Sequence, residues 1–189
     1  MNNKLEIAYN YYNEERYKES YTLFSELAEE NNLDAQLMLA SMYYDGYGIK
    51  KSIEKSYSWY KIAADNGDAS SSSFYSFYCF ENQNILEGKK YLQKAVYDNY
   101  IDAIYNMAIY YLNGDNEYTK NEEKAITLFK KSALLDDMES YLQIWKIIAK
   151  RSTKKDAYTY LVKEFGFPPF LKMINYRFIQ FWKKTFKVK

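Results

Sequence analysis

The chain has 189 residues, of which 48% are hydrophobic and 27% are charged, and its formal net charge is +1. This composition predicts a folded chain with a continuous core rather than a disordered one. The chain contains no histidine and a single cysteine, which excludes Ser-His-Asp and Cys-His catalysis, histidine-ligated metal sites and an internal disulfide.

The N-terminal stretch, MNNKLEIAYNYYNEE, has no apolar run ahead of its acidic residues and no small-residue cleavage site. We therefore expect no signal peptide and, with a single cysteine, a cytoplasmic protein in a reducing compartment. No run approaches the ~18 uninterrupted apolar residues of a membrane span. We expect no cofactor.

The two ends of the chain carry opposite charge. Residues 1–30 hold three basic and seven acidic side chains, whereas residues 146–189 hold twelve basic and two acidic ones. Each end is therefore expected to favour a different kind of partner.

A repeat is visible from the second quarter of the chain onwards. Three Asp-Ala pairs recur every 34 residues, and each Asp is expected to cap a helix: Asp34-Ala35, Asp68-Ala69 and Asp102-Ala103. Between the first two pairs, Gly46 and Gly48 are expected to turn the chain between two helices, and Gly67 is expected to end the second helix.

A second register of small residues supports the same repeat. Each small residue is followed at +3 and +4 by bulky apolar residues, as Ser56 is by Trp59 and Tyr60. This spacing places the three on one helical face, where the small residue allows a paired helix to approach closely. The five positions are Ser20, Ser56, Gly88, Ala125 and Ala157.

The segment from Ala35 to Gly67 reads A-x3-L-x2-MY-x2-G-x-G-I-x3-I-x-K-S-x2-WYKIAADNG and resembles the Sel1-like repeat, a relative of the tetratricopeptide repeat. The resemblance is good in 103–133, weaker in 69–99, and extends over roughly 4–165. It implies an all-α, right-handed α-α solenoid of about five helical hairpins. The array is placed at 1–167, with units at approximately 4–32, 34–67, 68–100, 102–137 and 138–165.

The resemblance also implies binding through a concave face built mainly by the first helix of each hairpin. Polar and aromatic residues on these helices are the predicted contacts, through aromatic anchors and side-chain hydrogen bonds. The alternative is that many of the tyrosines pack between hairpins. The predicted partner-binding residues are Gln36, Tyr44, Asp45, Tyr75, Tyr78, Asn106 and Tyr110.

The last segment, 168–189, is predicted to form a basic amphipathic helix after Pro168 and Pro169. Three roles are open for it: a cap on the array, a contact with an anionic membrane through 170–187, or a contact with an acidic partner. Nucleic acid is not favoured, because no groove-reading motif is present. The predicted basic patch comprises Lys150, Arg151, Lys154, Lys155, Lys183, Lys184 and Lys187.

Family members usually act as adaptors or scaffolds, and some bacterial ones resemble immunity proteins that neutralise a toxin encoded beside them. We therefore expect a non-catalytic protein-binding module of either kind, with a peripheral membrane organiser anchored by 170–187 as the alternative. No pair of carboxylates is expected to converge in a desolvated pocket, so no enzyme activity is predicted. Cys79 lies among aromatic residues with no adjacent cation, which predicts a buried, unreactive thiol.

Overall fold

In the computed structural model, which describes residues 3–166, ten α-helices contain 78% of the residues and no strand occurs within that range. The predicted all-α class is therefore confirmed. The predicted C-terminal helix, with Lys183, Lys184 and Lys187, lies outside the described residues. In chain order the helices are α1 (Asn3–Asn13), α2 (Tyr17–Glu29), α3 (Leu33–Asp45), α4 (Ile53–Asp65), α5 (Ala69–Glu81), α6 (Ile85–Tyr97), α7 (Ile101–Asn113), α8 (Glu122–Leu134), α9 (Met138–Arg151) and α10 (Lys154–Phe165).

The chain divides into two compact units, one ending at Ala103 and the other beginning at Ile104. In the first unit, each helix from α1 to α6 packs against the next one in sequence. Its core has one cluster around Phe24, Leu39 and Met42 and another around Tyr75, Cys79 and Tyr91. In the second unit, α9 packs against both α8 and α10. The core of that unit is built from Ala108, Ala125, Ile126, Phe129, Ala133, Tyr141, Ile144, Ile147 and Leu161.

The predicted small residues occupy one equivalent position in the structure. Each is the fourth residue of the second helix of its hairpin, and all five are buried: Ser20 in α2, Ser56 in α4, Gly88 in α6, Ala125 in α8 and Ala157 in α10. At Gly88 the helices are so close that an added Cβ would lie 2.5 Å from the ring of Phe80 in α5. Close approach of the paired helices therefore requires a small side chain at this position.

Most turns use one backbone arrangement with different residues. After α2, Asn31 has φ +62°, its amide donates to Ala28, and the next amide donates to Leu27. This double hydrogen bond is the Schellman motif, which needs a left-handed residue. It recurs around Gly67, Asn99 and Asp136, and also in the short turns at Glu15 and Gln83. Glycine is therefore only one of several residues that this turn accepts, because Asn and Asp also tolerate positive φ.

The hairpins alternate between short turns and long loops. The α1–α2 and α5–α6 connections are short turns, whereas α3–α4 and α7–α8 are joined by long loops. Both loops are fastened in the same way: the amide of Ser52 donates to Tyr43, and the amide of Asn121 donates to Tyr111. The starts of α3, α5 and α7 are therefore 36 and then 32 residues apart rather than 34 each time.

This alternation corrects the predicted register of the first helices. Ala35, Ser71 and Ala103 are each the third residue of their helix and fully buried, whereas Ala69 is the first residue of α5. The predicted equivalence of Ala69 with Ala35 and Ala103 is thus wrong by two residues. The residue that shares their buried position, Ser71, belongs to the Ser-rich start of α5 and is small enough to pack there.

Helix capping follows the prediction at one Asp and departs from it at the others. Asp68 accepts a hydrogen bond from the amide of Ser71 at 2.6 Å and caps α5, as predicted. Asp34 and Asp102 instead lie in the first turns of α3 and α7, so their predicted capping role is wrong. Asn32 caps α3, because its side-chain oxygen accepts a hydrogen bond from the amide of Ala35 at 2.9 Å.

Two glycines with positive φ allow a matched test of the loop. Gly48 has φ +72°, and an added Cβ would lie 2.4 Å from the carbonyl oxygen of Tyr17, at the start of α2. Gly67 has φ +103° with no atom within 4 Å of an added Cβ. We expect Gly67→Ala to lower the free energy of unfolding by about 1–2 kcal/mol, which is the cost of a left-handed backbone with a side chain. Gly48→Ala should lower it by about 3 kcal/mol or more, because overpacking adds to that cost. Urea unfolding of both variants measures the difference, and equal losses would contradict it.

Two buried serines at the small position allow a test of hydrogen bonding. Ser20 Oγ donates to the carbonyl of Ala8 at 2.9 Å, whereas Ser56 Oγ is buried with no partner among the described residues. Ser20→Ala should lower the free energy of unfolding by about 1 kcal/mol, and Ser56→Ala should leave it unchanged or raise it by up to about 1 kcal/mol. Chemical denaturation of the two variants tests this, and a larger loss at Ser56 than at Ser20 would refute it.

Candidate functional site

Aromatic side chains, two of them exposed and three half-buried, gather on α3, α4 and α5 of the first unit. Tyr57 and Tyr78 stack with their ring centroids 4.3 Å apart and their planes 15° apart. The ring centroid of Tyr60 lies 5.8 Å from that of Tyr57 and 5.2 Å from that of Phe74. Tyr44 lies near enough to raise the pKa of both Tyr57 and Tyr60, and completes what we call the aromatic cluster: Tyr44, Tyr57, Tyr60, Phe74 and Tyr78.

The cluster offers apolar area that the fold leaves uncovered. Tyr44 is 45% exposed and Phe74 is 47% exposed, while the other three rings are half-buried beside them. Rings held by stacking lose little rotamer freedom when a partner covers them. The arrangement is therefore suited to binding through aromatic contacts.

The surroundings of the cluster favour neutral hydroxyls. Burial, with smaller effects from neighbouring charges, raises the pKa of Tyr57 and of Tyr60. The carboxylates nearby are Glu81, which acts on Tyr57, and Asp45, which acts on Tyr60. A raised pKa makes these phenols weaker acids, so the cluster offers hydrogen-bonding groups and ring faces rather than nucleophiles.

Of the predicted residues in the first unit, Tyr44, Asp45 and Tyr78 lie in or beside the cluster. Asp45 is exposed at the end of α3, directly after Tyr44. Lys51 Nζ lies 5.1 Å from the centre of the Tyr44 ring, within the range of a cation–π contact. The position of these three residues is compatible with the predicted binding role.

Gln36 requires a correction. Its side chain is fully buried, where its Nε2 donates to the carbonyl of Ala28 at 3.4 Å and its Oε1 accepts from Asn66 Nδ2 at 3.1 Å. Gln36 thus links α3 to the ends of α2 and α4 and leaves no surface for a partner. The prediction is wrong because Gln36 lies on the packed side of α3 and not among the residues that stacking leaves free.

Tyr75 also requires a correction. It is buried against Tyr91, with ring centroids 4.8 Å apart in an edge-to-face arrangement, and Lys61 Nζ lies 5.1 Å from its ring centre. It belongs to a core cluster with Cys79, where burial raises the pKa of the thiol. Tyr75 is therefore a packing residue, and Cys79 is buried, as predicted.

Asn106 and Tyr110 lie on α7 in the second unit, and both are half-buried. Tyr110 stacks on Tyr118 of the following loop, with ring centroids 5.8 Å apart. Burial raises the pKa of Tyr118 to about 12. This loop-packing role of Tyr110 leaves part of its ring accessible.

The described residues of the predicted basic patch differ in whether they are paired with a carboxylate. Lys150, Lys154 and Lys155 are exposed, but Arg151 is bound by two carboxylates. Its Nη2 lies 2.7 Å from Glu122 Oε2 and its Nη1 lies 2.6 Å from Glu123 Oε1. Arg151 therefore joins α9 to the start of α8, and its charge is already compensated.

Tyr57, Tyr60 and Phe74 were missed by the sequence analysis. Tyr57 and Tyr60 lie on α4, a second helix, whereas the predicted contacts lie on first helices. Phe74 lies on a first helix, α5, but only the packing of that helix shows that it is exposed while Tyr75 beside it is buried. Tyr57 directly follows the buried Ser56, so its side chain is turned by about 100° from the packing face. This offset from Ser56 is the feature of the sequence that places Tyr57 outside the packing face.

Other classes of site are not evident in residues 3–166. There is no group of cysteine and acidic side chains in that range that could hold a metal ion. None of the described helices is long and apolar enough to cross a bilayer.

Comparison with protein-family models gives one match, to a family described as Sel1 repeat, over residues 33–68, 76–100 and 101–137. These segments make up more than half of the chain. No curated protein gives a significant match to the chain.

Solved structures share the fold. A Sel1 repeat protein from Oxalobacter formigenes superposes with a TM-score of 0.70 at 21% identity, over 85% of this chain and 70% of that one. A protective antigen present in uropathogenic Escherichia coli strains, displaying an SLR fold, superposes with a TM-score of 0.70 at 23% identity. That match covers 86% of this chain and 36% of the antigen. The predicted α-solenoid class is confirmed by these structures.

A hydroxyl pair next to the cluster gives a pH-dependent prediction. The hydroxyls of Tyr21 and Tyr43 share a hydrogen bond of 2.9 Å, and burial together with this bond raises the pKa of Tyr43 from 10 to about 12. Because the pKa is raised in the fold, the associated stability is fully present below pH 10 and is lost as pH rises through about 12.

In Tyr21→Phe, the pKa of Tyr43 should fall towards 10 without reaching it, because burial remains the larger cause. Ring resonances of Tyr43 followed by NMR across this range measure the shift. An unchanged pKa in Tyr21→Phe would show that the hydrogen bond does not contribute.

Proposed function

The chain belongs to the Sel1 repeat family, and we propose that it is a non-catalytic module that captures a partner protein through the aromatic cluster. Sel1 repeat proteins are generally protein-interaction modules. The proposal adds the surface: the faces of α3, α4 and α5 that carry Tyr44, Tyr57, Tyr60, Phe74 and Tyr78.

The observation that carries the proposal is the exposure of ordered aromatic rings at one place. Tyrosine is enriched at interface hot spots, where a ring covers apolar area and a hydroxyl keeps a hydrogen bond. Here the half-buried Tyr57 supports Tyr78 by stacking, and Tyr60 supports Phe74. Tyr44 and Phe74 are the two rings of the cluster that are most exposed to a partner.

The position of the cluster is suited to binding a partner and not to catalysing a reaction. Its rings lie on helices whose backbones are fastened by the repeat itself, so the surface is formed before a partner arrives. The hydroxyls of Tyr57 and Tyr60 are poor nucleophiles because their pKa values are raised. We place this binding in the cytoplasm, since the single cysteine is buried as a free thiol.

Two roles fit this mode of binding: an adaptor that holds a subunit of a complex, and an immunity protein that neutralises a cognate bacterial toxin. They differ in the partner and in how tightly it is held. An inhibitor has one tight partner, whereas an adaptor exchanges several weaker ones. The experiment below therefore records the number and the affinity of the captured proteins.

The test compares two double variants. Tyr44→Ala with Phe74→Ala removes two side chains of the cluster. The matched control is Leu86→Ala with Tyr97→Ala, which removes two side chains of α6 that are 84% and 81% exposed. The wild-type chain is used to capture partners from its native host, which are identified by mass spectrometry and then purified for binding measurements.

We expect the cluster variant to bind the purified partner at least about tenfold more weakly, because aromatic hot spots contribute 2 kcal/mol or more. The control should change the affinity by less than about twofold. Circular dichroism and thermal unfolding establish that both variants fold. A folded cluster variant that binds as tightly as the wild type would refute the proposed surface.

A further inference from the structure

We propose that a second surface of this protein, a lysine-lined groove in the second unit, binds an acidic peptide segment of a partner protein. The groove lies between the end of α7, the start of α8 and residues 143–150 of α9, and has a volume of about 310 Å³. It lies entirely within the second unit. The lysine groove is lined by Leu112, Asn113, Lys120, Glu122, Gln143, Lys146, Ile147 and Lys150.

Three lysines surround the groove from two sides. Lys146 and Lys150 are one helical turn apart on α9, so they share a face, and Lys120 faces them from the loop before α8. Lys120 and Lys150 form no ion pair with any residue in 3–166. The nearest carboxylate oxygen to Lys146 Nζ is that of Glu139, at 3.8 Å. Lys146 thus has one long ion pair, and the three lysines outnumber the two carboxylates near them, Glu122 and Glu139.

Glu122 in the lining offsets only part of the charge of these lysines, although Lys120 and Lys150 lie near enough to lower its pKa. Glu122 Oε2 accepts from both Nε and Nη2 of Arg151, at 2.9 and 2.7 Å. This pairing lowers the pKa of Glu122, so it stays ionised and engaged with Arg151. Both donors reach the same carboxylate oxygen, and charge-assisted hydrogen bonds of this kind are stronger than neutral ones. The groove thus keeps a net positive charge although it contains a glutamate.

The chemistry of the lining selects the ligand. Leu112 and Ile147 provide apolar walls, and the amides of Asn113 and Gln143 can bond to a peptide backbone. The volume is suited to a few side chains of an extended segment rather than to a helix with a diameter of about 10 Å. A peptide in which carboxylate and apolar side chains alternate can pair with the lysines and also pack against these walls.

A phosphate group is a poorer match. Phosphate sites commonly use arginine forks or clusters of backbone amides, whereas the lining here offers separate lysine ammonium groups. The nearby arginine, Arg151, is already bound by Glu122 and Glu123. Carboxylates spaced along a peptide can instead reach the three lysines one by one.

The test uses a defined probe: a short fluorescein-labelled peptide of alternating glutamate and leucine, followed by fluorescence anisotropy with the full chain. The groove variant is K146Q with K150Q. The matched control is K154Q with K155Q, which removes the same charge from exposed lysines of α10 in the same unit that do not line the groove. A peptide of alternating lysine and leucine controls for apolar binding.

We expect saturable binding of the acidic peptide by the wild type and at least about tenfold weaker binding by the groove variant, with the control variant within about twofold. The affinity should fall as salt is added, because the lysines are exposed to solvent. The lysine–leucine peptide should not bind. Thermal unfolding verifies that both variants fold.

Three results would overturn the proposal: no saturable binding by the wild type, equal weakening in the two variants, or displacement of the peptide by inorganic phosphate at lower concentration than by unlabelled peptide. Equal weakening would show that net charge acts without the groove, and displacement by phosphate would assign a phosphate site. The variant with Tyr44→Ala and Phe74→Ala should bind the acidic peptide as the wild type does. Failure of the aromatic cluster can thus be distinguished from failure of the lysine groove.

Discussion

The structure depends on one contact that recurs in every hairpin: the fourth residue of the second helix, where the side chain must be small. At Gly88 a methyl group would already touch the ring of Phe80, and at Ser20 the hydroxyl bonds to the carbonyl of Ala8. Because the helices approach closely there, the bulky residues three and four positions later fill the space beside them. A hairpin of two short helices could not otherwise bury enough apolar surface to be stable.

The turns allow this contact to repeat while the spacing varies. A left-handed residue and two backbone hydrogen bonds end most helices, and Asn31, Gly67 and Asp136 perform this role equally. Long loops are added between α3 and α4 and between α7 and α8 without disturbing the helices, since each loop is fastened to the preceding helix by one amide. The repeats of this chain therefore share their packing contacts but differ in length.

The two candidate surfaces differ in chemistry. The aromatic cluster supplies ring faces and phenol hydroxyls, and its binding energy would come from burial of apolar area. The lysine groove supplies positive charge around apolar walls, and its binding would depend on salt. The lysine groove includes Lys146 and Lys150, which belong to the part of the sequence that is rich in basic residues. A partner could use either surface alone.

The sequence by itself determined the helical hairpins and the place of their closest contact, because both depend on residues near each other along the chain: the small residue, the bulky pair at +3 and +4, and the turn. It did not determine which polar and aromatic side chains reach the surface. Gln36 and Tyr75 are buried while Phe74 is exposed, because each helix is covered by helices of two different hairpins and only their packing decides which face remains. The lysine groove likewise required tertiary structure, since Lys120 and Lys146 are separated by a whole helix in sequence and meet only when α9 packs against α8.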